Sequence, residues 1–199
     1  MFRSLALWAL GYPEAARADW EQALGHARET GNPASVMQAM SVTSLTQLIS
    51  GNYAIAQAQL DELIALAEEI GSVYWKSAGM LRRASLLALN GKPSDAVGIL
   101  TSAIHAWRSM GMKIYISVWL SHLARAYGEL GQFEEAWSSI DEAMTVIETT
   151  KERWYEADVH RIAGEIALMS PEPDAAKAEA CFERALAVAR QQQAKSGRD

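Results

Sequence analysis

The residues best suited to metal binding or nucleophilic catalysis are four histidines and one cysteine: His26, His105, His122, His160 and Cys181. No two histidines stand three or four positions apart, as a pair of ligands on one helix face requires, and no Asp and Glu cluster completes a ligand set. No cation or helix start near the thiol would lower its pKa, so a buried core thiol is favoured over a reactive one. We therefore predict no catalytic residue, no metal site and no cofactor.

A further candidate for chemistry is the segment "GKPS" at residues 91–94, which has half of a phosphate-binding loop. The complete motif needs a glycine at position 86, where this chain has Leu86. Pro93, which follows the lysine, has no amide hydrogen for a phosphate. We interpret the segment as a turn that opens a helix, and we predict that the chain is not an enzyme.

Composition narrows the classes of partner. Lys and Arg total 18 against 24 Asp and Glu, so the net charge is −6. Nucleic acid is disfavoured, because a phosphate backbone needs clustered cations. No stretch approaches the roughly 18 uncharged apolar residues that a membrane span needs. A single cysteine fits a reducing compartment, so we predict a cytoplasmic protein.

An internal repeat determines the elements that carry these residues. Between regularly spaced glycines lie segments rich in Ala, Leu and Glu, whose apolar residues recur every three or four positions, as helices require. Glycine suits the residue after a helix end, because the left-handed conformation costs little without a β-carbon. One set of glycines, spaced by 40, is Gly11, Gly51, Gly91 and Gly131; the second, offset by 20, is Gly31, Gly71 and Gly111.

The repeat predicts an all-α fold, a right-handed superhelix of about five antiparallel helical hairpins, each with a helix A and a helix B. Because one hairpin cannot bury its apolar face alone, residues 1–199 are predicted to form a single solenoid domain. Its repeats are about 1–31, 32–71, 72–111, 112–151 and 152–195. Helix A is expected at about 2–10, 33–50, 73–90, 113–130 and 152–169, and helix B at about 13–30, 53–70, 93–110, 133–149 and 173–194.

The segment "LARAYGELGQFEEAWSSIDEAM" resembles the tetratricopeptide repeat (TPR). Ala124 stands at its small position, Tyr127 at its aromatic position, Gly131 at its turn, and Phe133 opens helix B. The period of 40 is longer than the ordinary 34 of this repeat, so each helix gains most of a turn. The fifth unit departs from the pattern, because "SPEPDAA" inserts about two residues. At the turn before this unit, Lys151 replaces the expected glycine.

Longer phrases narrow the resemblance: "LWALGYPEAA", "AIHAWRSMGM", "ERWYEADVHRIAGEIAL" and "AEACFERALAVARQQQAKS". They are similar to the C-terminal TPR region of bacterial signalling proteins in which an adenylate or guanylate cyclase domain, or a DNA-binding domain, precedes a signal-transduction ATPase. The resemblance implies a regulatory module that binds a protein or peptide, including the ATPase or cyclase domains themselves. Catalysis would reside in domains absent from this sequence. The alternative is a receptor domain for a small molecule or signalling peptide.

In the resembled family the A helices line a concave wall, where a step of 40 residues brings side chains into columns. Arginine offers a planar fork for carboxylates, so we expect a mixed-charge groove for a peptide or an anionic ligand. The alternative, favoured for any single residue, is that Arg125 and Glu165 simply pair with each other. The predicted partner-binding residues of these columns are Arg82, Ser85, His122, Arg125, Asp158, Arg161 and Glu165.

Aromatic residues stand near the start of three A helices, where Trp75, Tyr115 and Tyr155 are equivalent by the same step of 40. We include them among the partner-binding candidates, because aromatic rings can clamp a peptide. The favoured alternative is that they wedge adjacent hairpins apart.

The last helix has an apolar stripe of Phe182, Leu186 and Ala189, which another helix would cover in the resembled family. We expect the chain to be a piece of a longer protein. We also expect a homodimer through a terminal helix.

Overall fold

The computed structural model describes residues 2–192, without the side chains of Phe2 and Ala9. This range forms ten α-helices and no β-strand, so the predicted all-α helical repeat is confirmed. The predicted ends of the last helix at 194 and of the fifth repeat at 195 lie outside the described residues. The helices are α1 (Phe2–Ala9), α2 (Pro13–Glu29), α3 (Pro33–Ile49), α4 (Tyr53–Ile70), α5 (Val73–Leu89), α6 (Pro93–Ser109), α7 (Ile116–Glu129), α8 (Phe133–Thr150), α9 (Glu156–Met169) and α10 (Ala175–Gln191).

Most of the helices are followed by a residue whose backbone has the left-handed conformation. All seven repeat glycines have positive φ, between 61° and 80°. After Gly71, the amide of Ser72 donates to the carbonyl of Ala67 over 2.8 Å, which satisfies an acceptor at the helix end. Lys151 adopts the same conformation at φ 62°, and its amide donates to the carbonyl of Ile147 over 2.9 Å. The fourth repeat therefore lacks the glycine but keeps its backbone geometry.

Helix α7 begins at Ile116, later than the predicted start at about 113. The indole Nε1 of Trp107 donates to the carbonyl of Ile114 over 3.1 Å. The amide of Tyr115 donates to the carboxylate of Glu152 over 2.9 Å, and Tyr115 itself has a φ of 62°. Side chains from α6 and from the turn after α8 thus hold the backbone of residues 114 and 115 in a non-helical path.

Helix α9 begins at Glu156 rather than at the predicted 152. The hydroxyl of Thr150 accepts from the amide of Glu152 over 3.2 Å, and the carboxylate of Glu152 accepts from Nε1 of Trp154 over 3.0 Å. The side-chain amide of Gln192 donates to the carbonyl of Arg153 over 2.7 Å. These bonds hold residues 151–155 in a non-helical path.

The chain divides into two compact units, with the boundary between Leu86 and Leu87. In the first unit, α3 packs against α1, α2 and α4. In the second, α7 packs against α6, α8 and α9, and α10 packs against α9. Helix A of a hairpin therefore contacts its own helix B, the helix B before it and the helix A of a neighbouring hairpin.

The core follows the period of the sequence. Ala56, Ala96 and Ala136 are each 0% exposed, and small side chains at these positions let helices approach closely. Cys181 departs from its predicted core position, because it is half-buried. Burial raises the pKa of its thiol, opposed by Lys177, so it holds little reactive thiolate.

One ion pair in each unit joins two successive B helices. Arg28 contacts Glu62 over 2.8 Å, which links α2 to α4. Arg108 contacts Glu142 over 2.6 Å, which links α6 to α8. None of the helices within residues 2–192 combines the length and apolarity needed to cross a bilayer.

Candidate functional site

The ten residues predicted to bind a partner fall into two groups. Three of them, Trp75, Arg82 and Ser85, lie on α5, ahead of the boundary between the units. The other seven lie on α7 and α9 or directly before them: Tyr115, His122, Arg125, Tyr155, Asp158, Arg161 and Glu165. Because α7 packs against α9, these seven share one site in the second unit.

The three residues on α5 are mostly packed into the protein. Arg82 is 3% exposed, and its Nη1 donates to the carbonyl of Ala78 over 2.8 Å. Ser85 is fully buried, and its hydroxyl donates to a backbone carbonyl one turn earlier. Trp75 is half-buried and meets the ring of Tyr74 edge-on. Arg82 and Ser85 therefore present almost no surface to a partner.

The centre of the second-unit site is a buried pair, His122 and Tyr155. The Nε2 atom of His122 lies 3.2 Å from the hydroxyl of Tyr155, and the side chains are 2% and 5% exposed. Burial, followed by the charges of Arg125 and Arg161, lowers the pKa of His122 to about 3. The imidazole is therefore neutral at pH 7. At 2% exposure, it supports the site from below and presents almost no surface.

Aromatic rings, buried at Trp119 and half-buried at Tyr115 and Trp154, extend from this pair towards the start of α7. The ring of Tyr115 meets that of Trp154 edge-on at 6.0 Å, and Trp154 meets Tyr155 at 5.2 Å. Trp119 packs against both Tyr115 and His122. Edge-to-face contacts of this kind add stability beyond the area that they bury. The wedging role weighed for Tyr115 and Tyr155 matches these contacts.

The outer part of the site is a row of five charged side chains, which we call the charged ladder. The Nε atom of Arg125 donates to Glu129 over 2.9 Å, and its Nη1 lies 3.7 Å from Glu165. The Nη1 atom of Arg161 donates to the other oxygen of Glu165, and its Nε donates to Asp158 over 3.1 Å. The five side chains are between 23% and 42% exposed. The ion pair of Arg125 and Glu165, considered from the sequence, is thus present.

The ladder contains two arginines and three carboxylates, so its net charge is −1. Burial lowers the pKa of Arg161, but Asp158 and Glu165 raise it by more, so the guanidinium stays charged. The charged groups of the ladder suit recognition of a partner by hydrogen bonds and charge. Within the described part of the chain, no group of three His, Cys, Asp or Glu side chains could hold a metal ion.

Sequence reasoning missed three residues of this site: Trp119, Glu129 and Glu152. Glu129 had a readable signal, because a glutamate four positions after an arginine faces it on a helix. Glu152 had none, because it acts by accepting the amide of Tyr115, which is 37 positions away.

The sequence matches no protein-family model, and no curated protein is similar to it. The resemblance to the tetratricopeptide repeat therefore stays a prediction.

Proposed function

We propose that this chain is a non-catalytic interaction module of the TPR type. It binds a segment of a partner protein across α7 and α9, and in this way regulates attached or separate domains of a bacterial signalling protein in the cytoplasm. The observation that carries the proposal is the charged ladder, a continuous row of partly exposed ion pairs on a buried aromatic base.

The buried base holds the ladder in one geometry. Helices α7 and α9 pack together, and the pair of His122 and Tyr155 fixes their register beneath Arg125 and Arg161. Side chains that are already held in position lose less conformational entropy when a partner binds. The surface therefore favours recognition of an extended or helical segment.

The charge of the ladder indicates the chemistry of its partner. With three carboxylates and two guanidinium groups, it matches a segment that carries both signs with an excess of Lys or Arg. The contact of 3.7 Å between Arg125 and Glu165 is the longest of the ladder, so a partner carboxylate exchanges most easily there. Because exposed ion pairs contribute only about 0–1 kcal/mol each, the ladder gives specificity more than affinity.

The mechanism follows from the repeat. Each hairpin contacts only its neighbours, so a segment bound across α7 and α9 changes the relative stability of their packed arrangements. Binding thus shifts the populations of these packed arrangements, and the domains joined to the module respond to that shift.

Selection from a random peptide display library tests the proposal. We expect the wild-type protein to enrich mixed-charge peptides, which the double variant R125A/R161A binds at least tenfold more weakly. The variant R125K/R161K keeps the charge and loses the planar fork, so an intermediate affinity is expected. R108A is the matched control, because Arg108 is also an exposed arginine in an ion pair but lies outside the ladder.

Equal affinity of wild type and R125A/R161A for the enriched peptides would contradict the proposal. So would the absence of any enrichment over an unrelated helical protein. Circular dichroism of each variant confirms that a loss of binding is not a loss of fold.

A further inference from the structure

The first unit contains a cavity of about 370 Å³ that the proposed function does not use. It lies where α1, the start of α2 and the end of α3 meet the turn into α4. This volume falls at the small end of the range for ligand pockets, about 300–1,000 Å³. Its lining includes Trp8, Glu14, Arg17, Trp20, Gln47 and Ser50.

Polar residues stand at repeat positions that other hairpins fill with apolar ones. Thr46 and Gln47 line the cavity near the end of helix A. The equivalent pairs, at steps of 40, are Leu86 and Leu87, Ala126 and Tyr127, and Ile166 and Ala167. Position 47 is the aromatic position of the repeat, which Tyr127 occupies in the fourth hairpin. Gln47 thus places a side-chain amide at the position where the repeat has an aromatic residue.

The amide of Gln47 is only half satisfied. Gln47 is 1% exposed, and its Oε1 accepts from Nδ2 of Asn52 over 2.8 Å. Its Nε2 group has no hydrogen-bond partner in the part of the chain that the structure describes. Because Gln47 lines the cavity and an amide nitrogen can only donate, this group suits a ligand that brings an acceptor oxygen.

The charged groups of the cavity are already neutralised. The guanidinium of Arg17 contacts Glu14 over 3.1 Å and Glu21 over 3.8 Å. The side chains of Arg17 and Glu14 are 60% and 84% exposed, so they belong to the mouth. A charged ligand would have to displace one member of this ion pair, whereas a neutral ligand would not.

Two tryptophans supply the apolar part of the lining. Trp20 is 9% exposed and Trp8 is half-buried. Indole rings offer a large apolar area with little conformational freedom to lose, and their faces suit flat rings. The cavity therefore combines aromatic walls, the amide donor of Gln47 and a mouth where Glu14 and Arg17 form an ion pair.

We propose that this cavity binds a small neutral aromatic ligand with a carbonyl oxygen, of the aromatic primary amide class. The ring lies against Trp8 and Trp20, and the carbonyl oxygen accepts from Nε2 of Gln47. The site uses no residue of the charged ladder, so its test is independent of the test of the function proposed above.

Calorimetric titration of the whole chain with benzamide tests the assignment. Benzoate and benzylamine carry the same ring with a negative or a positive charge. We expect both to bind at least tenfold more weakly than benzamide. Q47L removes the donor at similar volume, so we expect at least a tenfold loss of benzamide affinity. Q38L makes the same change on α3 at a residue that does not line the cavity, and should leave the affinity unchanged.

A second variant keeps the test decisive if Q47L does not fold. Ser50 is exposed at the cavity, so S50W should block it without disturbing the core. We expect S50W to abolish benzamide binding. Absence of benzamide binding by wild type, or equal binding by S50W, would overturn the proposal and leave the cavity to water alone. Equal or tighter binding of benzoate or benzylamine would overturn the assigned neutral class.

Discussion

At the scale of single residues, burial changes the chemistry of His122. The pKa of this imidazole, about 3, compares with 6.5 for an exposed histidine. Near neutral pH the ring remains uncharged beside two arginines, although histidine in general is the side chain that titrates there. Its role is to accept or donate one hydrogen bond with Tyr155 beneath the ladder.

This burial predicts a pH dependence of stability. Between pH 6.5 and about 3, the unfolded chain binds a proton at His122 that the folded chain does not. The stability that the chain gains from a neutral, buried His122 is therefore fully present above pH 6.5 and is lost as the pH falls. We expect the free energy of unfolding to decrease by about 1.4 kcal/mol per pH unit below pH 6.5 from this residue.

Urea unfolding at pH 7, 6 and 5 measures this slope. H122Q keeps a neutral hydrogen-bonding side chain and should remove the contribution. H105Q changes an exposed histidine and should retain it. An equal slope in wild type and H122Q would contradict the prediction.

A second residue-scale prediction concerns Lys151. Lys151 has a left-handed backbone conformation, which costs a residue with a side chain about 1–2 kcal/mol. Glycine avoids this cost, but its greater conformational freedom in the unfolded chain offsets part of the gain. We expect K151G to raise the free energy of unfolding by about 0.5–1 kcal/mol, measured by urea denaturation. K113G changes an exposed lysine that does not have positive φ, and should not stabilise.

At the scale of elements, two glycines inside helices test how tightly neighbours pack. A β-carbon on Gly164 of α9 would lie 2.6 Å from the ring of Phe182 on α10, whereas one on Gly98 of α6 would meet nothing within 4 Å. We expect G164A to destabilise by about 1–3 kcal/mol, because the ring must move. G98A should stabilise by about 0.5–1 kcal/mol, because alanine favours a helix. Thermal unfolding of both variants measures the difference, and similar effects would contradict it.

The same scale shows what the sequence could predict. The helices follow from glycine spacing and from apolar periodicity, which are local signals. The late start of α7 does not follow from local signals. It depends on hydrogen bonds that Trp107 and Glu152, which lie on other elements, form with the backbone of Ile114 and Tyr115. Burial of His122 was likewise out of reach, since the packing of α7 against α9 and Tyr155 covers it. Local rules thus predicted the elements, and contacts between elements decided the site.

At the scale of the whole molecule, burial is uneven along the chain. Helix α7 contains eleven buried residues and α10 contains two. In repeat proteins each hairpin is held by its neighbours, so weakly buried helices open without the rest. We expect amides of α10 to exchange with deuterium at least tenfold faster than those of α7, measured by mass spectrometry. V188A should speed exchange in α10 and leave α7 unchanged; equal protection in wild type would contradict this.

The predicted contact between two copies belongs to this scale. Leu186 on α10 is 55% exposed, and Leu168 on α9 is 47% exposed. Exposed apolar side chains on the last hairpin favour association. We expect light scattering to show a dimer at high concentration, which L186E converts to monomer. A wild-type chain that stays monomeric throughout would contradict the prediction.

The two ion pairs between B helices have a consequence for engineering longer arrays. Arg108 and Glu142 each stand 80 positions after their counterparts Arg28 and Glu62, which is twice the spacing of the turn glycines. Adding one hairpin would preserve the turns but interrupt the alternation of these surface charges. The natural building block for extending this scaffold is therefore a double hairpin, which keeps backbone phase and charge pairing together.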